Sequence, residues 1–483
     1  MAASLKTNVV LNAIRTFSSI AFPVITFAYV SRILDVQGYG MFDYTRSIVS
    51  YFSLIAQLGV ATYGMREIPK VKHDKEKLTK LVSELFCYNL IATIVAYILF
   101  FSTLYGVEKF EYYRPLLLVN GLLIGFCALG LDWMYAALEE YKYITLRTIV
   151  FQIISFALLL LFVKEKSDIY VYAAINVFSS VGPNILNFCH ARKYLGKPVV
   201  KILNIFKHTK SIFIFWGNNI AGTVYLLIGT TMLGYMCGDY SVGLYSAANK
   251  ICRIFITLAT SICPIMLSRS SSYLAHGRQD EYGNLTKRSF DAVMVISIPI
   301  AVMLFCFSKD VILLFSGASF LPAVPLSQML SVLMLIMPVS SFLSIQILIP
   351  YGKEISIFKV LLLATVFNAG LSLFFFPKYQ HTAAAVINLS TEFLIFVFFI
   401  YLSRKHVSLA SIASNTWHYL LAGVFQFISI ILIYDYSNEN IEMINLFCAI
   451  TVGMIVYLIV LLLVKDDFTK MAIRTITSRY SIT

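Results

Sequence analysis

Apolar stretches of about 18 residues or more recur from one end of this chain to the other, and few charges interrupt them. Such a stretch is long enough to cross the hydrocarbon core of a bilayer as a helix. Inside lipid the protein must satisfy its own backbone N–H and C=O groups, which leaves helices or closed barrels. The runs are too long and too uniformly apolar for barrel strands, which alternate over about ten residues. Only 13% of the 483 residues are charged, against about a quarter in soluble domains. The expected fold is therefore an all-α polytopic membrane protein.

Fourteen spans are expected, near 8–32, 40–64, 81–104, 114–136, 144–163, 168–190, 211–235, 242–267, 288–308, 324–350, 355–376, 382–402, 416–434 and 441–464. The fifth and sixth are divided only by Lys164, Glu165, Lys166 and Ser167. The stretch VVLNAIRTFSSIAFPVITFAYV reads as an uncleaved first helix, because no short apolar core followed by a small-residue cleavage site precedes it. Eight cysteines are scattered, with no CxxC and no Cys/His cluster, so no disulfide, metal or other cofactor is expected.

Basic residues orient the spans. With fourteen crossings, 26 Lys and Arg fall on the side of both termini and seven on the other. Both termini are therefore expected in the cytoplasm. The same bias accounts for the net charge of +13 through topology and anionic lipid, without nucleic acid as a partner. Trp133, Trp216 and Trp417 fall near expected cytoplasmic helix ends, where indole favours the interface. The seven histidines lie at span ends and in loops, where solvated or interfacial roles are expected.

Five basic residues remain inside spans: Arg15, Arg46, Lys250, Arg253 and Lys359. Lys359 lies close enough to a span end to snorkel. The others belong to a repeat. GYGMFDYTRSIVSYF from Gly38 matches SVGLYSAANKICRIF from Ser241 at an offset of 203 residues. Gly40 then meets Gly243, Asp43 meets Ser246, Arg46 meets Asn249, Ser50 meets Arg253 and Gln57 meets Thr260; further back, Arg15 meets Asn218. Steps of three and four place each set on one helix face. The first span has its own polar face, with Asn8, Asn12, Arg15 and Ser19.

Two six-helix halves in parallel repeat are thus expected, 1–190 and 211–403, joined by a basic cytoplasmic linker at 191–210 and followed by two further helices and a tail at 404–483. Charges within spans face a bundle interior or a watery cavity, so the two stripes are expected to line a cationic cavity. Arginine stays charged when desolvated and grips phosphate oxygens with a planar fork. The expected cargo is an anion with an apolar part. Arg15, Arg46, Lys250 and Arg253 are its candidate ligands, with Asn12, Ser50, Gln57, Asn218 and Asn249 as polar lining. No GxxxxGK[ST] stretch exists to couple transport to a nucleotide. Among acids within spans, Asp43 and Glu392 are candidates for ion coupling, while Asp132 and Asp291 lie near the expected interface and read as solvated.

Four stretches carry a family resemblance: SRILDVQGYGMFDY, QLGVATYGMREIPK, LDWMYAALEEYKYITLRTIVFQ and VGLYSAANKI. In order and spacing the chain resembles the Wzx or RfbX-like O-antigen and polysaccharide flippases of the multidrug/oligosaccharidyl-lipid/polysaccharide exporter superfamily. It departs at Leu34-Asp35-Val36, where family members often carry Leu-Gly-Pro, so a different loop conformation is expected there. The resemblance implies a non-enzymatic transporter in the bacterial inner membrane. Its cargo would be an undecaprenyl-diphosphate-linked oligosaccharide, moved from the cytoplasmic to the periplasmic leaflet by alternating access. Membrane lipid and the polysaccharide polymerase machinery are the partners it implies. Related lipid II flippases carry basic residues on their first, second and eighth helices, which singles out Arg15, Arg46 and Arg253 as diphosphate ligands. Two other functions compete. A drug or metabolite antiporter of the same superfamily would more naturally line its cavity with carboxylates. A membrane polysaccharide polymerase or ligase would need a large outward loop and a catalytic constellation, and the long loops here (66–80, 191–210 and 269–287) all fall on the expected cytoplasmic side.

Overall fold

The computed structural model describes residues 5–196, 206–436, 443–466 and 468–470, and among them the chain is helical with no strand. The all-α polytopic architecture is the expected one. Residues 197–205 of the basic linker and the tail beyond residue 470 lie outside the described residues. Among the described residues ten helices are long and apolar enough to cross a membrane, or eleven if the bent pair Ala318–Ser331 and Leu333–Leu348 is one span. That is fewer than the expected fourteen. The difference lies chiefly in two helices, Leu5–Gln57 and Glu354–Ser403, of 53 and 50 residues. At 1.5 Å per residue each is more than twice as long as a bilayer core of about 30 Å requires. Both contain one residue of non-helical backbone, Asp35 in the first and Gln380 in the second.

Contacts divide the chain into two units, Met1–Ser246 with Phe315–Ser319, and Ala247–Leu314 with Phe320–Thr483. The first contains α1 (Leu5–Gln57), α2 (Val60–Val71), α3 (Lys75–Gly106), α4 (Arg114–Ala128), α5 (Asp132–Ala137), α6 (Tyr141–Phe162), α7 (Ile169–Ala191), α8 (Thr209–Cys237) and the start of α9 (Asp239–Thr260). Helices α3, α4, α6 and α8 pack around α1. Its fully buried aromatic rings, among them Phe27, Tyr39, Phe42 and Tyr44, form much of the unit's core. The fifth and sixth spans separate where expected: α6 ends at Phe162, a short 3-10 turn follows at Lys166–Asp168, and α7 begins at Ile169.

At Leu34-Asp35-Val36 the backbone leaves the helical region. Asp35 takes φ 56° and ψ −169°, a region that costs a residue with a side chain roughly 1–3 kcal/mol. Its carboxylate repays part of that cost. Oδ1 accepts hydrogen bonds from the backbone N–H of Gln37 (3.0 Å) and Gly38 (3.2 Å), capping the second arm of α1, and Oδ2 lies 2.5 Å from Lys166 Nζ. Asp35→Ala keeps the strain and loses the cap, so it should lower stability by about 1–2 kcal/mol. Asp35→Gly relieves the strain and should cost less. Thermal melts of the two variants in detergent test this order; Ala melting at or above Gly would refute the capping role.

The offset of 203 residues reappears as contact within the first unit. At the crossing of α1 and α9, a Cβ on Gly40 would lie 1.9 Å from the Asp239 carbonyl oxygen, and one on Gly243 would lie 2.0 Å from that of Val36. Three residues further along both helices, Ser246 Oγ donates to Asp43 Oδ2 at 2.5 Å. Helices without side chains between them approach closely, as small residues permit in membranes.

At the end of this unit that carries α2 and α5, two side chains are buried that sequence did not mark as buried. Trp133 is one; its indole occupies the space over Gly64, where a Cβ would come within 2.3 Å of the ring. His208, expected to be solvated or interfacial, is buried between Tyr63 Oη (2.8 Å from Nδ1) and Glu84 Oε2 (2.9 Å from Nε2). Trp216 donates its indole N–H to the Leu54 carbonyl at 3.0 Å. Between α2 and α3, Asp74 caps α3, and the backbone N–H and ammonium of Lys77 hold its carboxyl below the usual carboxylate range.

The second unit holds the rest of α9, then α10 (Ile262–Ala275), α11 (Gln279–Cys306), most of α12 (Ser308–Ser316), α13 (Val324–Ser331), α14 (Leu333–Phe342), a π-helical turn at Leu343–Leu348, α15 (Glu354–Ser403), α16 (Leu409–Ile412), α17 (Thr416–Tyr436) and α18 (Met443–Leu463). Helix α11 is central, packed by α10, α13, α14 and α17, while α17 and α18 pack on each other. Helices α2 and α3 begin at Val60 and Lys75, α10 and α11 at Ile262 and Gln279, so the element order also follows the sequence repeat. Asp291, expected to be solvated, is buried on α11; its Oδ2 accepts from Asn415 Nδ2 at 3.3 Å. Nearby Asp466 is fully buried, accepting from Tyr419 Oη (3.2 Å) and from the Thr469 N–H (2.8 Å) and hydroxyl (2.7 Å). Trp417 remains exposed.

Candidate functional site

Each unit carries one of the two polar stripes. In the first, α1 presents Arg15, Asp43, Arg46, Ser50 and Gln57. Arg46 is half-buried, and its guanidinium sits 6.0 Å from the centre of the Phe42 ring, a cation–π contact one turn back. It also lies within electrostatic reach of the buried Tyr39 and Tyr172 phenols. Asp43, three residues before it, is engaged by Ser246 instead. Among the described residues Arg46 makes no ion pair. Ser50 turns back on its own helix, donating to the Arg46 carbonyl at 2.8 Å, and Gln57 is exposed. The side chains of Asn12 and Asn218 lie outside the described residues.

Arg15 differs from Arg46 in having a carboxylate partner. Its Nη2 is 3.5 Å from Asp132 Oδ2. Asp132, read from sequence as a solvated interfacial acid, is held by its other oxygen. Oδ1 accepts from Arg147 Nη2 at 2.7 Å and Asn187 Nδ2 at 2.6 Å. Arg147 is buried beside it. Assigned by sequence to the cytoplasmic topology set, its side chain is 3% exposed, with Nη1 donating to the Pro183 carbonyl at 3.0 Å. Beside Arg15, Ser18 Oγ donates to Gln152 Oε1. Asp132 and Arg147 stand on different helices with no shared periodicity, so sequence carries no signal that pairs them.

In the second unit the stripe on α9 runs through Asn249, Lys250 and Arg253, all half-buried. Arg253 Nε donates to Asn249 Oδ1 at 3.2 Å, one turn away, and among the described residues this arginine too makes no ion pair. Thr257 Oγ1 donates to the Arg253 carbonyl at 2.8 Å. Glu392 is buried on α15, within electrostatic reach of Cys252, which also feels Arg253. The same unit has an apolar pocket of about 290 Å³ lined by Ile298, Val302, Phe305, Leu335, Val424 and Phe427 among others. Its walls suit a hydrocarbon chain, not a sugar. No group of three or more His, Cys, Asp or Glu placed to hold a metal ion exists among the described residues.

The chemistry these stripes offer is anion binding. A guanidinium keeps its charge in a half-buried site, and among the described residues Arg46 contacts a ring and Arg253 an amide, neither pairing with a carboxylate.

Comparison with known proteins places the chain among polysaccharide transporters and their structural relatives. The model of a family described as polysaccharide biosynthesis protein matches residues 5–267, and the MatE family model matches residues 216–375. Two bacterial proteins named "Putative O-antigen transporter" are similar over most of their length. The one from Escherichia coli strain K12 is 22% identical across 81% of this chain and 95% of its own, and the one from Shigella dysenteriae 23% identical across 82% and 98%. Among solved structures, the lipid II flippase MurJ in an inward closed conformation superposes with a TM-score of 0.76 at 16% identity, over 97% of this chain and 100% of that one. An inward-facing multidrug MATE transporter gives 0.60 at 12% identity, over 83% and 100%.

Proposed function

Because the chain belongs to the polysaccharide biosynthesis protein family, we propose that it is a flippase for lipid-linked oligosaccharide. In the finer reading, its cargo is an undecaprenyl-diphosphate-linked repeat unit of an O-antigen, capsule or exopolysaccharide. The protein carries it by alternating access from the cytoplasmic to the outer leaflet of the bacterial inner membrane, with both termini in the cytoplasm. Arg15, Arg46, Lys250 and Arg253 take the diphosphate. Asp43 and Glu392 are the acids through which an ion gradient would couple. The polymerase machinery that consumes the repeat unit is the expected partner.

One observation supports this reading above the others. Arg46 and Arg253 are half-buried on the two repeat-related stripes, and among the described residues neither has a carboxylate partner. A cation in that state favours an anionic cargo, and the fork geometry of guanidinium favours phosphate. The MATE likeness supports a second reading, export of a soluble drug or metabolite, but an arginine would repel the cationic drugs a carboxylate-lined cavity would attract.

Proteoliposomes separate the readings. Lipid-diphosphate oligosaccharide placed in one leaflet should become accessible to an outside lectin only when the protein is present, and should be recovered chemically unchanged. Efflux of cationic dyes without movement of the lipid-linked glycan would favour the antiporter, and covalent change of the glycan would favour an enzyme.

A further inference from the structure

We infer that Asp132 is a positioning residue for anion capture: it holds Arg15 while the site is empty and gives it up to a phosphate-class anion. The inference rests on the anion-binding reading above and extends it to residues outside the two stripes. The geometry is asymmetric. Oδ1 of Asp132 is committed, with Arg147 Nη2 at 2.7 Å and Asn187 Nδ2 at 2.6 Å. Oδ2 faces Arg15 Nη2 at 3.5 Å, beyond the range of a good charge-assisted hydrogen bond.

Burial is asymmetric in the same sense. The Arg147 side chain is 3% exposed, whereas those of Arg15 and Asp132 are 30% and 37% exposed. Arg147 is also tied to the Pro183 carbonyl, and Tyr135 Oη donates to the Asn187 carbonyl at 2.8 Å, so the two residues gripping Oδ1 are themselves fixed. The pair of part-exposed Asp132 with buried Arg147 is neutral as a unit. Arg15 is then the excess positive charge of the trio, loosely held, and open to a competitor.

A carboxylate with one oxygen locked cannot rotate to give Arg15 a bidentate grip. A diphosphate offers several oxygens and a larger charge, so it wins the arginine on entry. On departure Asp132 recaptures the guanidinium and speeds release. Without this acid, Arg15 would bind the anion more tightly and let it go more slowly.

Inorganic pyrophosphate binding to the full-length protein in nanodiscs, at fixed ionic strength, tests the inference without any lipid-linked sugar. Asp132→Asn keeps an acceptor for Arg147 and removes the charge beside Arg15. It should tighten pyrophosphate binding about three- to tenfold, the worth of releasing a part-exposed ion pair and a nearby negative charge. Arg15→Ala should abolish that gain in the double variant. Asn187→Ala frees Oδ1 from one donor and lets the carboxylate hold Arg15 better, so it should weaken binding; this sign reversal serves also if Asp132→Asn fails to accumulate. In transport with lipid-linked cargo, Asp132→Asn should lower KM and kcat together, and Asp132→Glu should restore both. Unchanged affinity in Asp132→Asn, a gain that survives Arg15→Ala, tighter or unchanged binding in Asn187→Ala, or no pyrophosphate binding by the wild-type protein would each overturn it. The pyrophosphate responses stand whatever the lipid-linked cargo proves to be, so failure of the flippase reading is seen separately in the proteoliposome assay.

Discussion

Arg46→Ala and Arg253→Ala should each reduce glycan export about 100-fold, and the double variant should export nothing measurable, while all three accumulate in the membrane at wild-type levels. The size follows from charge-assisted hydrogen bonds to phosphate, about 1.5–3 kcal/mol apiece, with tenfold for every 1.4 kcal/mol. Undiminished accumulation follows from the contacts. Among the described residues neither arginine is half of an ion pair, so removing it strands no described carboxylate. Arg46→Ala gives up a cation–π contact of about 0.5–1 kcal/mol. Arg253→Ala releases only the Asn249 amide oxygen, which lies in a half-buried setting. Lysine at either position should recover part of the activity, since it returns the charge without the planar fork. Export is read as surface polysaccharide in cells and as lectin-accessible glycan in proteoliposomes. Wild-type export by the double alanine variant would show that the cargo does not use these cations.

Gly40→Ala and Gly243→Ala should each destabilise the protein severely, by about 3 kcal/mol or more, the upper end of what overpacking costs. The added Cβ would stand 1.9 Å from the Asp239 carbonyl oxygen or 2.0 Å from the Val36 carbonyl oxygen. Both obstacles are backbone, so no side chain can turn aside, and relief requires α1 and α9 to separate. Separation would also break the Asp43–Ser246 hydrogen bond. Gly370→Ala is the control: it lies in the long helix α15 with nothing within 4 Å of its absent Cβ. There alanine should stabilise by up to about 1 kcal/mol, because it reduces the entropy lost on folding. Melting temperatures from fluorescence-detected size exclusion compare the three. If Gly40→Ala melts with Gly370→Ala, the close crossing is not how the helices meet in solution.

Sequence alone determined the features that depend on local chemistry. Long apolar runs dictate helices, because lipid offers the backbone no hydrogen bonds. The steps of three and four from Asp43 to Gln57, and from Ser246 to Thr260, place those residues on one face each, because 3.6 residues make a turn. The repeat offset was legible as well, and Gly40 with Gly243 and Asp43 with Ser246 are the same pairs now seen in contact. What sequence could not carry is the partner of each buried polar group. Arg147 read as one more basic residue near a span end; only packing shows it nearly inaccessible, with Asp132 from a separate helix beside it. Asp291 and Asp466, Glu84 and His208, and Trp133 over Gly64 follow the same pattern. Burial and pairing there are set by which helices the tertiary fold brings together, and residues far apart in the chain share no periodicity that would announce it. The Asp43–Arg46 spacing made the opposite error available. Three residues apart on a helix they are neighbours, yet the carboxylate turns to Ser246 and the guanidinium lies over Phe42, because each finds a better-placed contact in the folded chain.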